Sequence, residues 1–203
     1  RSNEADPELG NYREIYETAR QTASDIEAAL GDLDPKSLGE MRPQLDAYLG
    51  QVRLLAKTAN ELDAIIGEIP MAELAKDKAD LLKKAETSEP GLKAEYLASA
   101  REIANQETSF AGLKEQRELI GLRLESSVNQ LTQLKIDLAK ARAADSQSAL
   151  SSGETALADI RAKSQELSRY LDDLKSGQLE ALADPFAELE KALAEKEGGK
   201  VGT

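Results

Sequence analysis

Apolar and small residues recur at alternating steps of three and four through the first third of the chain, and this spacing constrains the fold more than any other feature. The series comprises Leu9, Tyr12, Tyr16, Ala19, Ala23, Ile26 and Leu30, then Leu38, Met41, Leu45, Tyr48, Val52, Leu55, Ala59, Leu62, Ile66 and Ile69. Such spacing is typical of helices that bury one narrow stripe against other helices. A similar series resumes after Gly153, with Leu157, Ile160, Ser164, Leu167, Leu171 and Leu174, then Leu179, Leu182, Phe186, Leu189 and Leu193. No segment alternates as a strand does, so the sequence predicts an all-α fold.

Helix starts can be read from the Asp-Pro pairs, because aspartate caps a helix N-terminus and proline fits the first helical position. These pairs occur at Asp6-Pro7, Asp34-Pro35 and Asp184-Pro185. Ser151 and Glu154 have the spacing of a capping box. The sequence therefore predicts helices over about 7–30, 35–66, 71–86, 90–150, 154–176 and 179–196.

The fourth predicted helix decides the architecture. Either it runs unbroken through residues 90–150, or it folds back at Gly112 or Gly121. We expect an elongated antiparallel helical bundle or coiled coil, with two three-helix bundles sharing this long central helix as the arrangement that accounts for the chain length. The corresponding domains are an N-terminal bundle over 1–110, a C-terminal bundle over 111–197 that continues from it through the long helix, and a disordered tail over 198–203.

The residue inventory excludes most kinds of enzymatic site. The 203 residues include no histidine and no cysteine. Zinc sites, Ser-His-Asp triads, Cys-His dyads and the Glu-x-x-His motif of di-iron bundles are therefore impossible. Hydrolysis by a carboxylate pair would need a cleft that raises one pKa, whereas every acidic residue can be placed on a solvated helix face. We expect no enzymatic activity, no cofactor and no metal site.

Charge and hydropathy limit the partners. A net charge of -12 would repel a phosphate backbone, so we expect no nucleic-acid partner. No run approaches the roughly 18 apolar residues that cross a bilayer, so we expect no direct insertion into a membrane. The absence of cysteine does not choose a compartment: the cytoplasm is the default expectation, and a membrane-tethered or exported protein is the alternative. The acidic segment 1–34 and the basic segment 113–142 are expected to lie side by side as antiparallel neighbours of opposite charge.

One stretch is depleted of charge in a chain that is 32% charged. Residues 126–134 carry no charge, and residues 143–153 carry only Asp145. Charge depletion is typical of interface cores, and it also fits a helix that its own bundle covers on most sides. The candidate interface residues are Ser126, Ser127, Asn129, Gln130, Thr132, Gln133, Ser146, Gln147 and Ser148.

Two functions fit these observations. The first is a non-enzymatic helical scaffold or protein-interaction domain that spaces partners or self-associates. The second is a soluble helical binding or sensor module of a larger membrane-tethered or exported protein. The second is motivated by a sequence that starts at Arg1 without methionine and by the glycines of the last residues.

Overall fold

The all-α prediction is confirmed by the structure, a computed structural model that describes residues 7–33, 35–144 and 146–176. Within these ranges the chain forms helices and no strand. A short 3-10 helix is followed by α1 to α5, which span Pro7–Tyr12 (3-10), Arg13–Leu33 (α1), Pro35–Glu68 (α2), Met71–Thr87 (α3), Pro90–Ala144 (α4) and Ser146–Ser176 (α5). None of these helices combines the length and the apolar character needed to span a membrane. The helix predicted over 179–196 and the tail predicted over 198–203 lie outside the described residues.

The start of the first helix differs from the prediction. Pro7–Tyr12 forms a 3-10 helix instead of the first turns of α1. Gly10 interrupts it with φ 48° and ψ −124°, a backbone conformation that is readily open only to glycine. The chain therefore changes direction before α1 begins at Arg13.

Helix α4 is continuous through Gly112 and Gly121, because a single glycine costs only about 1 kcal/mol in a helix. Its end differs from the prediction: α4 stops at Ala144 instead of residue 150. Helix α5 begins at Ser146, so the predicted capping box of Ser151 and Glu154 is wrong, and both residues lie inside α5. Serine and glycine are tolerated there because each weakens a helix by no more than about 1 kcal/mol.

The described residues divide into two compact units. Unit 1 contains 7–63 and 117–176, and unit 2 contains 64–116. Helices α2 and α4 contribute residues to both units. In unit 1, residues 7–63 pack with the segment that starts at residue 117. The domain boundary between residues 110 and 111 stays a prediction.

Unit 1 is built around one core that receives side chains from α1, α2, α4 and α5. The predicted stripe residues supply most of this core. Those that are buried comprise Leu9, Tyr12, Ala19, Ala23, Ile26, Leu30, Met41, Leu45, Tyr48, Val52, Leu55, Ala59, Ile160, Leu167 and Leu171. The periodicity therefore identified the buried faces of α1, α2 and α5.

Contacts between charged side chains give the helix directions in unit 1. Lys135 on α4 lies 2.7 Å from Asp25 on α1, so the basic and acidic segments are neighbours. Arg117, at the start of the unit 1 part of α4, lies over the ring of Tyr12, just before α1. Helices α1 and α4 therefore run in the same direction, and the predicted antiparallel direction of these two segments is wrong. Helix α2 runs opposite to both, since its Asp63 is the residue that contacts Arg117.

Unit 2 contains an antiparallel pair formed by α3 and the first part of α4. Lys78 on α3 forms an ion pair with Glu107 on α4. The core of the pair is small: Ala100 and Ala104 are buried against Leu81 and Leu82. Alanine permits two helix backbones to approach closely, so few side chains are needed to fill the space between them.

Candidate interaction surface

The outward side of α4 in unit 1 carries an uncharged row of residues that we call the α4 seam. It consists of Leu119, Leu122, Ser126, Asn129, Gln133 and Ile136. These positions are separated by alternating steps of three and four, which is the spacing of the contact line in a two-helix coiled coil. The seam therefore has the pattern of a surface that receives another helix.

The apolar members of the seam are exposed to solvent. Leu122 is 57% exposed, Ile136 is 43% exposed and Leu119 is 39% exposed. They make up half of the six large aliphatic side chains that are exposed among the described residues. Single exposed leucines are common on protein surfaces, whereas their recurrence along one line of one helix is not.

The candidate interface residues predicted from the sequence fall into separate groups. Ser126, Asn129 and Gln133 lie on the seam, and Thr132 lies beside it with its hydroxyl bonded to the carbonyl of Val128. Ser127 and Gln130 point instead into unit 1, where Ser127 is buried and donates to the carbonyl of Arg123. Ser146, Gln147 and Ser148 are part of α5, and their side chains are outside the described residues.

The inward residues belong to a polar network in unit 1 that surrounds the buried Tyr48 with partly buried side chains. The hydroxyl of Tyr48, which is fully buried on α2, donates to Oε1 of Gln130 at 2.8 Å. On the same helix, Gln51 donates to Ser168 at 2.6 Å and accepts from Ser164 at 3.1 Å. These bonds join α2 to both α4 and α5 and satisfy polar groups that would otherwise be buried without partners. Ser127 and Gln130, which are among the predicted interface residues, therefore take part in this internal network.

A second polar cluster lies at Tyr12, Asp63 and Arg117. Tyr12 donates to Oδ2 of Asp63 at 2.8 Å, and Arg117 Nε donates to Oδ1 of Asp63 at 2.8 Å. Burial and the bond to Asp63 raise the pKa of Tyr12 to about 12. Burial would raise the pKa of Asp63, but the bonds from Arg117 and Tyr12 outweigh it and lower that pKa. The cluster links the 3-10 segment to α2 and α4. Its three residues are spread over more than 100 positions of the chain, so no local sequence pattern predicts the cluster.

A shallow groove of about 450 Å³ lies between α4 and α5. Its lining combines two basic residues, Arg123 and Arg169, with two acidic ones, Glu166 and Asp173, and includes Tyr170. The Arg123 guanidinium lies 5.2 Å from the centre of the Tyr170 ring and also pairs with Glu166. Within the described part of the chain, the hydroxyl of Tyr170 is buried from solvent and has no hydrogen-bond partner.

The described carboxyl groups with shifted pKa values all shift downward. They are Asp25, Asp63 and Glu166. Each is bonded to a basic side chain, and the hydrogen bond from Lys135 or Arg123 is the main cause at Asp25 and Glu166. A general acid needs a raised pKa, so this environment opposes that role. Over the ranges that the structure describes, no cluster of acidic side chains has the arrangement of a metal site.

Comparison with known proteins gives no relative. No protein-family model, no curated protein and no solved structure matches the chain.

Proposed function

We propose that this chain is a non-enzymatic helical interaction domain that self-associates or holds protein partners through the α4 seam. The observation that carries the proposal is the exposure of Leu119, Leu122 and Ile136 along one uncharged line of a rigid helix. Burying such side chains contributes about 25 cal/mol for each Å² of apolar surface removed from water. The polar members of the seam keep the surface compatible with solvent when no partner is bound.

The chemistry of the described side chains supports a role without catalysis. The chain has no histidine or cysteine, and the three described carboxyl groups with shifted pKa values are held in their ionised form by basic neighbours. Tyr12, which has a strongly raised pKa, is bonded to Asp63 and remains neutral at physiological pH. A tyrosine in that state is a poor base and a poor nucleophile.

The test is site-specific photocrosslinking in the native cell. A photoreactive amino acid replaces Asn129 in the seam, and in a matched control it replaces Asp172, which is exposed on α5. We expect position 129 to form a defined adduct with a polypeptide and position 172 to form none. If position 129 gives no more adduct than position 172, the proposal is wrong.

A further inference from the structure

The α4 seam has the same kind of side chain, aliphatic or polar, at four of its six positions when it is read in either direction; Leu122 and Gln133 are the two that differ. Aliphatic residues lie toward its ends, at Leu119, Leu122 and Ile136, and three uncharged polar residues lie between them: Ser126, Asn129 and Gln133. A two-fold symmetric interface requires one surface to match itself after rotation. In an antiparallel helix pair, residues at equal distances on either side of the symmetry axis face each other, so the order of residues must be close to palindromic.

We propose that the α4 seam binds the same seam of a second copy of this chain, with the two α4 helices antiparallel. This inference rests on the interaction function proposed above and names the partner and the register. The symmetry axis passes between Ser126 and Asn129, so that Leu119 of each copy faces Ile136 of the other. Leu122 then faces the methylene groups of Gln133, and Ser126 faces Asn129.

Each layer of this register joins side chains that are chemically compatible. Each pair joins an a position of one helix to a d position of the other, as antiparallel coiled coils require. Leu119 and Ile136 form an apolar layer at each end of the seam. The hydroxyl of Ser126 accepts a hydrogen bond from Gln130 of its own helix at 3.3 Å and can donate one to the amide oxygen of Asn129 of the other copy at the centre.

The charges that flank the seam also favour the antiparallel direction. Glu115 lies one turn before Leu119, and Lys140 lies one turn after Ile136. Antiparallel pairing in this register brings Glu115 of each copy to Lys140 of the other and Glu118 to Asp137, whereas parallel pairing brings each of these four charges to its own like. Lys140 is well exposed, and its pairing with Asp137 of its own helix is loose, at 3.7 Å, so it can turn toward a second carboxylate.

The first experiment measures association of the full chain by sedimentation. The seam is short, so the interface is weak and the protein concentration is varied from about 1 to about 500 µM. We expect a reversible monomer–dimer equilibrium in the unmodified chain. Leu122→Glu should weaken the dimer at least tenfold, because it buries an unpaired charge in the seam.

The matched control for this substitution is Leu92→Glu. Leu92 and Leu122 lie on the same helix and are equally exposed, at 57%. Leu92→Glu should leave the dimer constant within about twofold, since surface changes away from an interface act weakly. Circular dichroism checks that both variants keep the helix content of the parent. A monomer at every concentration, or equal weakening by the two variants, overturns the inference.

The second experiment tests the direction of the helices and uses the absence of cysteine from the chain. Leu119→Cys and Ile136→Cys are prepared separately and then mixed under mild oxidation. The proposed register predicts a disulfide between the two variants in the mixture and little disulfide in either variant alone. In either single variant the two cysteines would be about 25 Å apart, at 1.5 Å per residue, which is too far to bridge.

The outcomes separate this inference from the function on which it rests. Disulfides that form readily within each single variant would indicate parallel helices and overturn the proposed pairing. An adduct at position 129 in the cell with a different polypeptide, combined with a monomeric purified chain, would overturn the second copy as partner and leave the interaction function in place. If position 129 forms no adduct and the purified chain forms no dimer, both the interaction function and the pairing of two seams are wrong.

Discussion

Tyr12 and Asp63 are joined by a hydrogen bond of 2.8 Å from the phenol to the carboxylate, although 51 positions separate them in the sequence. Arg117 donates to the other oxygen of the same carboxylate and lies over the Tyr12 ring. One carboxylate therefore holds three segments of unit 1 together: the 3-10 segment, α2 and α4. This arrangement explains why a short 3-10 helix can remain in place before α1.

Replacement of Asp63 by asparagine should destabilise unit 1 by about 0.5–1.5 kcal/mol, because the partly exposed pair with Arg117 loses its charge and one of its hydrogen bonds. The pKa of Asp63 is lowered in the folded chain, so the carboxylate contributes stability above its ordinary value of 3.8 and loses that contribution as the pH falls through the folded pKa. Urea unfolding of parent and variant from neutral to acidic pH measures the difference. A difference that persists unchanged below pH 3.8 would contradict this assignment.

The contribution of Tyr12 to stability is expected to change with pH in the opposite direction and to decline as the pH rises. Its pKa rises from 10.0 to about 12 on folding, so the folded chain holds this proton more tightly than the unfolded chain. The contribution to stability is complete below pH 10 and declines as the pH rises toward 12. The difference in unfolding free energy between the parent and Tyr12→Phe should therefore be constant from pH 7 to pH 10 and shrink above it. Urea titrations at several alkaline pH values measure it, and a difference that does not change with pH would exclude the raised pKa.

The conformation of Gly10 predicts opposite effects for two glycine substitutions. A Cβ at Gly10 would lie 2.7 Å from Cγ of Asn60, and the positive φ disfavours any other residue. Gly10→Ala should therefore destabilise unit 1 by about 1–3 kcal/mol. Gly50→Ala is the control, because Gly50 lies inside α2 with open space around its Cβ position, and it should stabilise the chain by about 0.5–1 kcal/mol. Thermal and urea unfolding measure both, and similar effects at the two sites would contradict the described turn.

Local pattern was sufficient to predict the helices and the buried faces of α1, α2 and α5. Ile26 and Leu55, for example, repeat with the helical period, and both are fully buried. The turn at Gly10 could not be predicted, because glycine is compatible with many conformations and the one adopted depends on Asn60, 50 residues later. The end of α4 was misplaced because Ser151 and Glu154 match a capping box whether or not a helix begins there. The inward direction of Ser127 and Gln130 depends on Tyr48 of another helix, so charge depletion alone could not separate the internal network from the seam.

The buried polar network predicts a cost for removing a single hydroxyl. Tyr48→Phe leaves Oε1 of the partly buried Gln130 without its donor, which should destabilise unit 1 by about 1–2 kcal/mol. Tyr96→Phe is the control, since the Tyr96 hydroxyl has no protein partner among the described residues, and it should change stability by less than about 0.5 kcal/mol. Urea unfolding compares the two variants. Equal effects would mean that the hydroxyl of Tyr48 is not needed by the core.

The small core of unit 2 predicts a local effect of increased side-chain volume. Ala100 is fully buried against Leu81 and Leu82, so Ala100→Leu should force α3 and α4 apart and destabilise their pairing by about 1–3 kcal/mol. Ala98→Leu places the same side chain on the exposed side of α4 and should change stability by less than about 0.5 kcal/mol. Hydrogen exchange resolved by residue is the suitable measurement, because it reports the opening of α3 separately from unfolding of unit 1. Amides of α3 should lose protection in Ala100→Leu while those around Tyr48 keep theirs. Unchanged protection in α3 would mean that the alanine contact does not hold the pair together.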